Sequence, residues 1–153
     1  MGIQSNAGAS VAICASLPAT HNAAGFNALS FTTVGEITNL PEFGRKFALI
    51  THKPLATRAT RKLKGSYDEG QLPFELGLDT DDAGQTIMKA ASASDNPYAF
   101  RVTMQNGDKY FMLGLVMEFV VGGGDVDTIT AAKATVELTS SSTGAGIVED
   151  LAP

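Results

Sequence analysis

The stretch Tyr98–Phe119, YAFRVTMQNGDKYFMLGLVMEF, reads as two β-strands joined by a tight turn. Tyr98, Phe100, Val102 and Met104 alternate with Ala99, Arg101, Thr103 and Gln105. That period of two sends successive side chains to opposite faces of a sheet. Asn106-Gly107 supplies the turn, of the type in which both central residues take positive φ. On the return strand Phe111, Leu113, Leu115, Met117 and Phe119 share one face. Tyr110, Met112, Gly114, Val116 and Glu118 share the other.

Outward from this hairpin the signal stays mostly β. Downstream, Gly122-Gly123-Gly124-Asp125 opens a flexible link to a last strand, Asp127 to Thr139, where Ala132, Ala134, Val136 and Leu138 oppose Lys133, Thr135 and Glu137. Upstream, Leu72, Phe74, Leu76 and Leu78 share a face with Glu75 opposite. Ser30 to Thr38 and Arg45 to Thr51 read as short strands, rich in Thr or in β-branched and aromatic residues. One helix is predicted over residues 82–93. Asp82 caps the first amides, Gln85 stands at the capping-box spacing, and Ile87, Met88 and Ala91 form an apolar stripe. Asn96-Pro97 closes that segment, because a residue before proline avoids the helical region. Several strands, one helix, then three strands predict a mainly β protein: an antiparallel β-sandwich, barrel-like, with one flanking α-helix.

The domain boundaries follow from composition. Residues 30–139 form the folded domain, with a long loop over 52–72. Residues 1–29 form an N-terminal arm, with one strand in Ser10 to Leu17, and 140–153 a mobile tail. Both ends hold few large apolar groups to offset the entropy of ordering them. At 153 residues the chain holds one domain with a substantial core. Cys14 stands alone, which excludes an intrachain disulfide and a thiolate metal cluster. No apolar run reaches the roughly 18 residues that span a bilayer. The absence of Lys and Arg before Arg45 leaves no charged start for a secretory signal. Met1-Gly2 opens like a myristoylation site, but Asn6 stands where Ser or Thr is required.

Catalytic and metal-binding patterns are missing. His21 and His52 have no partner at ligand spacing, and no serine sits in a G-x-S-x-G elbow. Asp79 to Gly84 begins like a calcium loop, yet Ala83 and Ala90 occupy the fifth and twelfth positions, where ligands belong. Helix capping accounts for those acids. Gly122 to Gly124 lacks the Gly-Lys-Ser/Thr ending of a phosphate loop. A protein without catalytic activity and without cofactors is expected.

Charge is distributed unevenly. No acid occurs between Glu42 and Asp68, while Arg45, Lys46, Lys53, Arg58, Arg61, Lys62 and Lys64 fall there. Those are seven of the eleven Lys and Arg residues, so four bases face sixteen acids elsewhere. The net charge of −5 argues against general nucleic-acid binding. A basic loop and an acidic body are two halves of an electrostatic match, which predicts salt-sensitive, heterologous self-association.

In the order of its elements the chain resembles the major tail tube proteins of long-tailed, non-contractile phages. The stretches that carry the resemblance are VGEITNLPEFG (Val34 to Gly44), KGSYDEGQLPFEL (Lys64 to Leu76), DDAGQTIMKAA (Asp81 to Ala91), FRVTMQNGDKYFMLGLVMEF (Phe100 to Phe119) and the Thr/Ala-rich last strand. The resemblance implies a tail-tube fold, with six copies per ring and rings stacked into a hollow tube that conducts phage DNA. It implies a virion protein assembled in the bacterial host cytoplasm. Its partners would be further copies of itself and the tail tip, tape measure and terminator proteins. DNA would pass without specific binding, and no membrane would be involved. Carried onto this chain, the loop from His52 to Leu72 bridges rings through Lys53, Arg58, Arg61, Lys62, Lys64, Asp68 and Glu69. Glu36, Glu75, Glu118 and Glu137, opposite the apolar rows, are candidates for the lumen, where carboxylates repel phosphates. A related tail terminator or secretion tube is the alternative, and a ligand-binding β-sandwich module a more distant one.

Overall fold

A computed structural model describes residues 2–153; Met1, the first residue of the expected arm, lies outside the described residues. The strands are β1 (Ser10–Cys14), β2 (Thr32–Val34), β3 (Ile37–Asn39), β4 (Lys46–His52), β5 (Arg61–Asp68), β6 (Gln71–Gly77), β7 (Tyr98–Thr103), β8 (Lys109–Val121), β9 (Ala131–Thr139) and β10 (Val148–Asp150). Two helices accompany them, α1 (Ala23–Asn27) and α2 (Ala83–Ser92). One antiparallel sheet runs in the order β2-β1-β7-β8-β9-β6-β3, with β10 beside β8, while β4 and β5 pair only with each other. The large sheet curls into a half-barrel, so the expected mainly β, barrel-like class with its flanking helix holds.

The β7–β8 turn corrects the expected geometry. Of its two central residues only Gly107 has positive φ. Gly107 N–H donates to Met104 C=O at 3.0 Å, and Met104 N–H donates to Asp108 C=O at 2.8 Å. The Asn106 carboxamide oxygen accepts from Asp108 N–H, so this residue shapes the turn through its side chain. The longer connection pairs Val102 with Tyr110 and Phe100 with Met112. Tyr110 and Met112 therefore join the Phe100 face, and Phe111 and Leu113 pass to the other side.

A second irregularity lies in β8, where the register shifts between Val116 and Glu118. Met117 is the extra residue. Beyond it Phe119 pairs with Ala134 and packs on the main core, while Glu118 pairs with Thr135. The continuous row from Phe111 to Phe119 read from the sequence is broken there, because a bulge reverses the parity of a strand.

On the core side lie Phe100, Val102, Met112, Val116, Leu72, Phe74, Leu76, Ala132, Ala134, Val136 and Leu138, all buried. Met88 and Ala91 of α2 join them, as the helical stripe predicts. Asp82 caps α2 by accepting Gln85 N–H at 2.9 Å. The Gln85 side chain does not return to the cap. It donates to the carbonyls of Gly35 (3.0 Å) and Gly77 (2.9 Å) and accepts from Asp79 N–H (3.0 Å). The second Asp82 bond is to Gly35 N–H. Gly35 and Glu36 are the two residues between β2 and β3, the end strands of the sheet, so the curled ends meet at this link. The buried Gln85 amide satisfies backbone groups that no strand pairs. Gln85→Leu should cost about 1–3 kcal/mol or more, because three backbone groups lose a partner. Urea unfolding would register this as a lower midpoint at unchanged slope.

Three boundaries expected from composition are overturned. β1 is no appendage: it lies between β2 and β7, with Val11 and Ile13 buried. Farther along the arm lies α1, whose Phe26 stacks on Phe111 at 5.2 Å in a second core with Cys14, Ala99 and Leu113, on the opposite face of the sheet. The tail is ordered too, through β10, a bond between His21 Nε2 and Gly146 C=O (2.6 Å), and Asn27 Nδ2 donating to Asp150 (2.9 Å). Finally, the second half of the expected loop over 52–72 is largely strand β5 and the start of β6, leaving an open tip at residues 53–60. No helix among the described residues is long and apolar enough to cross a membrane.

Candidate assembly interface

The β4–β5 hairpin carries most of the basic segment. Its pairs are Lys46 with Asp68, Phe47 with Tyr67, Leu49 with Lys64, Ile50 with Leu63, Thr51 with Lys62 and His52 with Arg61. Paired residues share a face, so one face shows Phe47, Tyr67, Leu49, Lys64, Thr51 and Lys62, and the other Ile50, Leu63, His52 and Arg61. Both faces mix aliphatic with basic groups, and nearly every residue of both strands is exposed. Leu49 is 65 % exposed and Leu63 64 %. A lone two-stranded hairpin is marginally stable in water, and this one leaves Phe47, Leu49, Ile50, Leu63 and Tyr67 exposed.

The root of the hairpin is fixed firmly. Arg45 donates from Nε (2.9 Å) and Nη2 (2.8 Å) to Glu69 Oε1, and its guanidinium stands 3.8 Å above the Tyr67 ring. Those bonds to Glu69 raise the Arg45 pKa above its ordinary value. Tyr67 O–H donates to Gly144 C=O. A Cβ at Gly146 would collide with the Glu69 carboxylate, so a larger residue there must displace Glu69 from Arg45. Gly146→Ala should shift Glu69, loosen the root and lower the thermal midpoint; an unchanged midpoint would mean the carboxylate moves freely.

The expected contact residues therefore separate. Lys53 and Arg58 sit at the open tip, Arg61, Lys62 and Lys64 along β5, and all five are exposed. Asp68 is exposed at the end of β5 and accepts Gly70 N–H. Glu69 is corrected: it is 4 % exposed and anchors Arg45 instead of meeting a partner. A turn glycine with positive φ, Gly70, carries the chain from there into β6. The sequence reading missed Arg45, Tyr67 and the exposed Leu49 and Leu63. Of these only Leu63 had a local signal, its place between Lys62 and Lys64. Among the described residues Arg45–Glu69 is the one ion pair, so the other hairpin cations are not neutralised within the subunit.

The four candidate lumen carboxylates gather on the sheet face opposite the main core. Glu75 pairs with Lys133. Glu118 accepts from Thr135 Oγ1 at 2.8 Å, and Glu137 accepts from Gln71 Nε2 at 2.8 Å. Glu36 adjoins Gly77 at the end of the same row and has a left-handed φ of 61°. At the hairpin root a cavity is lined by Phe43, Arg45, Glu69, Met104, Tyr110 and Glu149. Burial there, then the Glu149 and Asp108 charges, raises the Tyr110 pKa.

No protein-family model matches the chain, and no curated protein matches it by sequence. Solved structures do match. A chain of the anti-feeding prophage baseplate, determined by cryo-EM with six-fold symmetrisation, aligns with a TM-score of 0.64 at 9 % identity, over 92 % of this chain and 95 % of that one. The SPP1 tail tube, from solid-state NMR and cryo-EM, aligns with a TM-score of 0.62 at 14 % identity, over 94 % and 77 %. The curled sheet of this chain is thus a tail-tube-like fold.

Proposed function

We propose that this chain is a structural subunit that assembles into six-membered rings stacked as a hollow tube, the conduit for DNA in a phage tail. The observation that carries the reading is the β4–β5 hairpin: ordered at its root, exposed on both faces, apolar and basic at once, and unpartnered within its own chain. The shared fold and the six-fold baseplate neighbour support rings of six. Assembly takes place in the bacterial host cytoplasm, ahead of the virion. Tail tip, tape measure and terminator proteins are the partners at the ends of the tube and within it. The same baseplate neighbour favours a second reading, a single ring at a tube end.

Electron microscopy of the concentrated protein, with light scattering over a salt series, tests this. Uniform hollow tubes that shorten as salt screens the hairpin charges are expected. Single rings would favour the second reading, and monomers under every condition would overturn both.

Glu75, Glu118, Glu137 and Glu36 line the bore in this reading, where they repel phosphates and let a duplex slide. Replacing Glu75, Glu118 and Glu137 with Lys should leave tubes intact but make them retain DNA in co-sedimentation. Equal retention by wild-type and variant tubes would remove the carboxylate face from the lumen.

A further inference from the structure

A second exposed apolar patch lies at the tip of the β8–β9 ribbon. Val121, Val126 and Ile129 are exposed there, Val126 fully. Asp125 and Asp127 flank them, and no Lys or Arg occurs between Lys109 and Lys133. The tip is built rather than loose. Asp125 Oδ1 accepts the Thr128 hydroxyl (2.9 Å) and Asp127 N–H (3.0 Å), and Gly122, Gly123 and Gly124 take positive φ to turn the chain. Those two bonds lower the Asp125 pKa and keep the carboxylate ionised.

The position of this patch matters as much as its chemistry. Tyr110, near the start of β8, lines the cavity at the hairpin root, and Leu138, at the end of β9, donates its N–H to Gly70 C=O beside that root. The ribbon tip follows Val121 at the other end of β8. Thirteen residues at ~3.3 Å each put about 40 Å between the two ends. One end therefore bears an apolar, basic hairpin, and the far end an apolar, acidic tip.

We propose that the β8–β9 tip, residues 121–129, is the receptor for the β4–β5 hairpin of the next copy. Leu49, Leu63 and the fully exposed Leu55 of the open tip would meet Val121, Val126 and Ile129, while Arg58, Arg61 and Lys62 face Asp125 and Asp127. The inference rests on the self-assembly proposed above and names the surface that accepts the hairpin. Because the two patches differ and occupy opposite ends, the contact is heterologous and propagates head to tail instead of closing a dimer.

Charge exchange between two variants tests it. One carries Arg58→Glu, Arg61→Glu and Lys62→Glu, the other Asp125→Lys and Asp127→Lys. Each alone should raise the critical concentration for assembly by roughly tenfold or more, since like charges then meet. Mixed in equal amounts they should assemble again, because every hairpin then finds a tip of opposite sign. If the tip variant melts below wild type, Val126→Lys replaces it. A tip variant that assembles like wild type, or a mixture that stays dispersed while wild type forms tubes, overturns this contact and leaves the tube reading standing. Wild-type monomers under every condition overturn the tube reading, and this contact with it.

Discussion

Subunits carrying Arg58→Glu, Arg61→Glu and Lys62→Glu are expected to melt at the wild-type temperature and to form no tubes at concentrations where wild type assembles, the critical concentration having risen roughly tenfold or more. None of the three side chains makes a hydrogen bond or ion pair within the subunit, and all are exposed. Exposed substitutions of this kind usually change stability by no more than about 0.5 kcal/mol. Assembly is a different matter, because each site would bring a negative charge to an acidic neighbour, and like charges at an interface cost several kcal/mol. Negative-stain microscopy beside thermal unfolding separates the two effects. Tubes of normal length and normal salt stability would mean that the hairpin is not the electrostatic contact.

The second large effect concerns folding. Phe26→Ala should cost about 3–5 kcal/mol, the range for a buried phenylalanine, and lower the melting temperature by roughly 10 °C in a chain of this size. Phe26 is wholly buried, stacked on Phe111 and capped edge-on by His21. Removing residues 2–14 should be more severe, since β7 loses its neighbour β1 and the core loses Val11 and Ile13. The arm's composition suggests the opposite, a truncation that spares folding. Wild-type melting of either variant would restore that view.

Composition misleads at both ends for one physical reason. The arm holds few large apolar residues, but Val11, Ile13 and Phe26 sit where burial is complete. A mean over the first thirty residues says nothing about where three side chains go. The tail, likewise poor in apolar groups, is ordered by β10 and by bonds to distant residues: Tyr67 to Gly144, His21 to Gly146 and Asn27 to Asp150. Glu69 was equally illegible. It looks like its neighbour Asp68 in the chain, and only its position beneath Arg45 and against Gly146 distinguishes it.

Local geometry was readable from the sequence by itself. The alternation in β6, β7 and β9, the Asp82 cap and apolar stripe of α2, and the basic run from Arg45 to Lys64 depend on residues a few positions apart. Backbone period and capping chemistry act over that range. Register and partnership were decided only by the tertiary structure. The turn at Asn106-Gly107 and the bulge at Met117 each move a strand by one residue, and each such step exchanges its two faces. The ends of the sheet meet at Gly35 and Glu36 because Gln85 and Asp82, about fifty residues onward, satisfy the backbone there. Side chains alternate by local rule, but the face that becomes core is set by contacts between segments far apart in the chain.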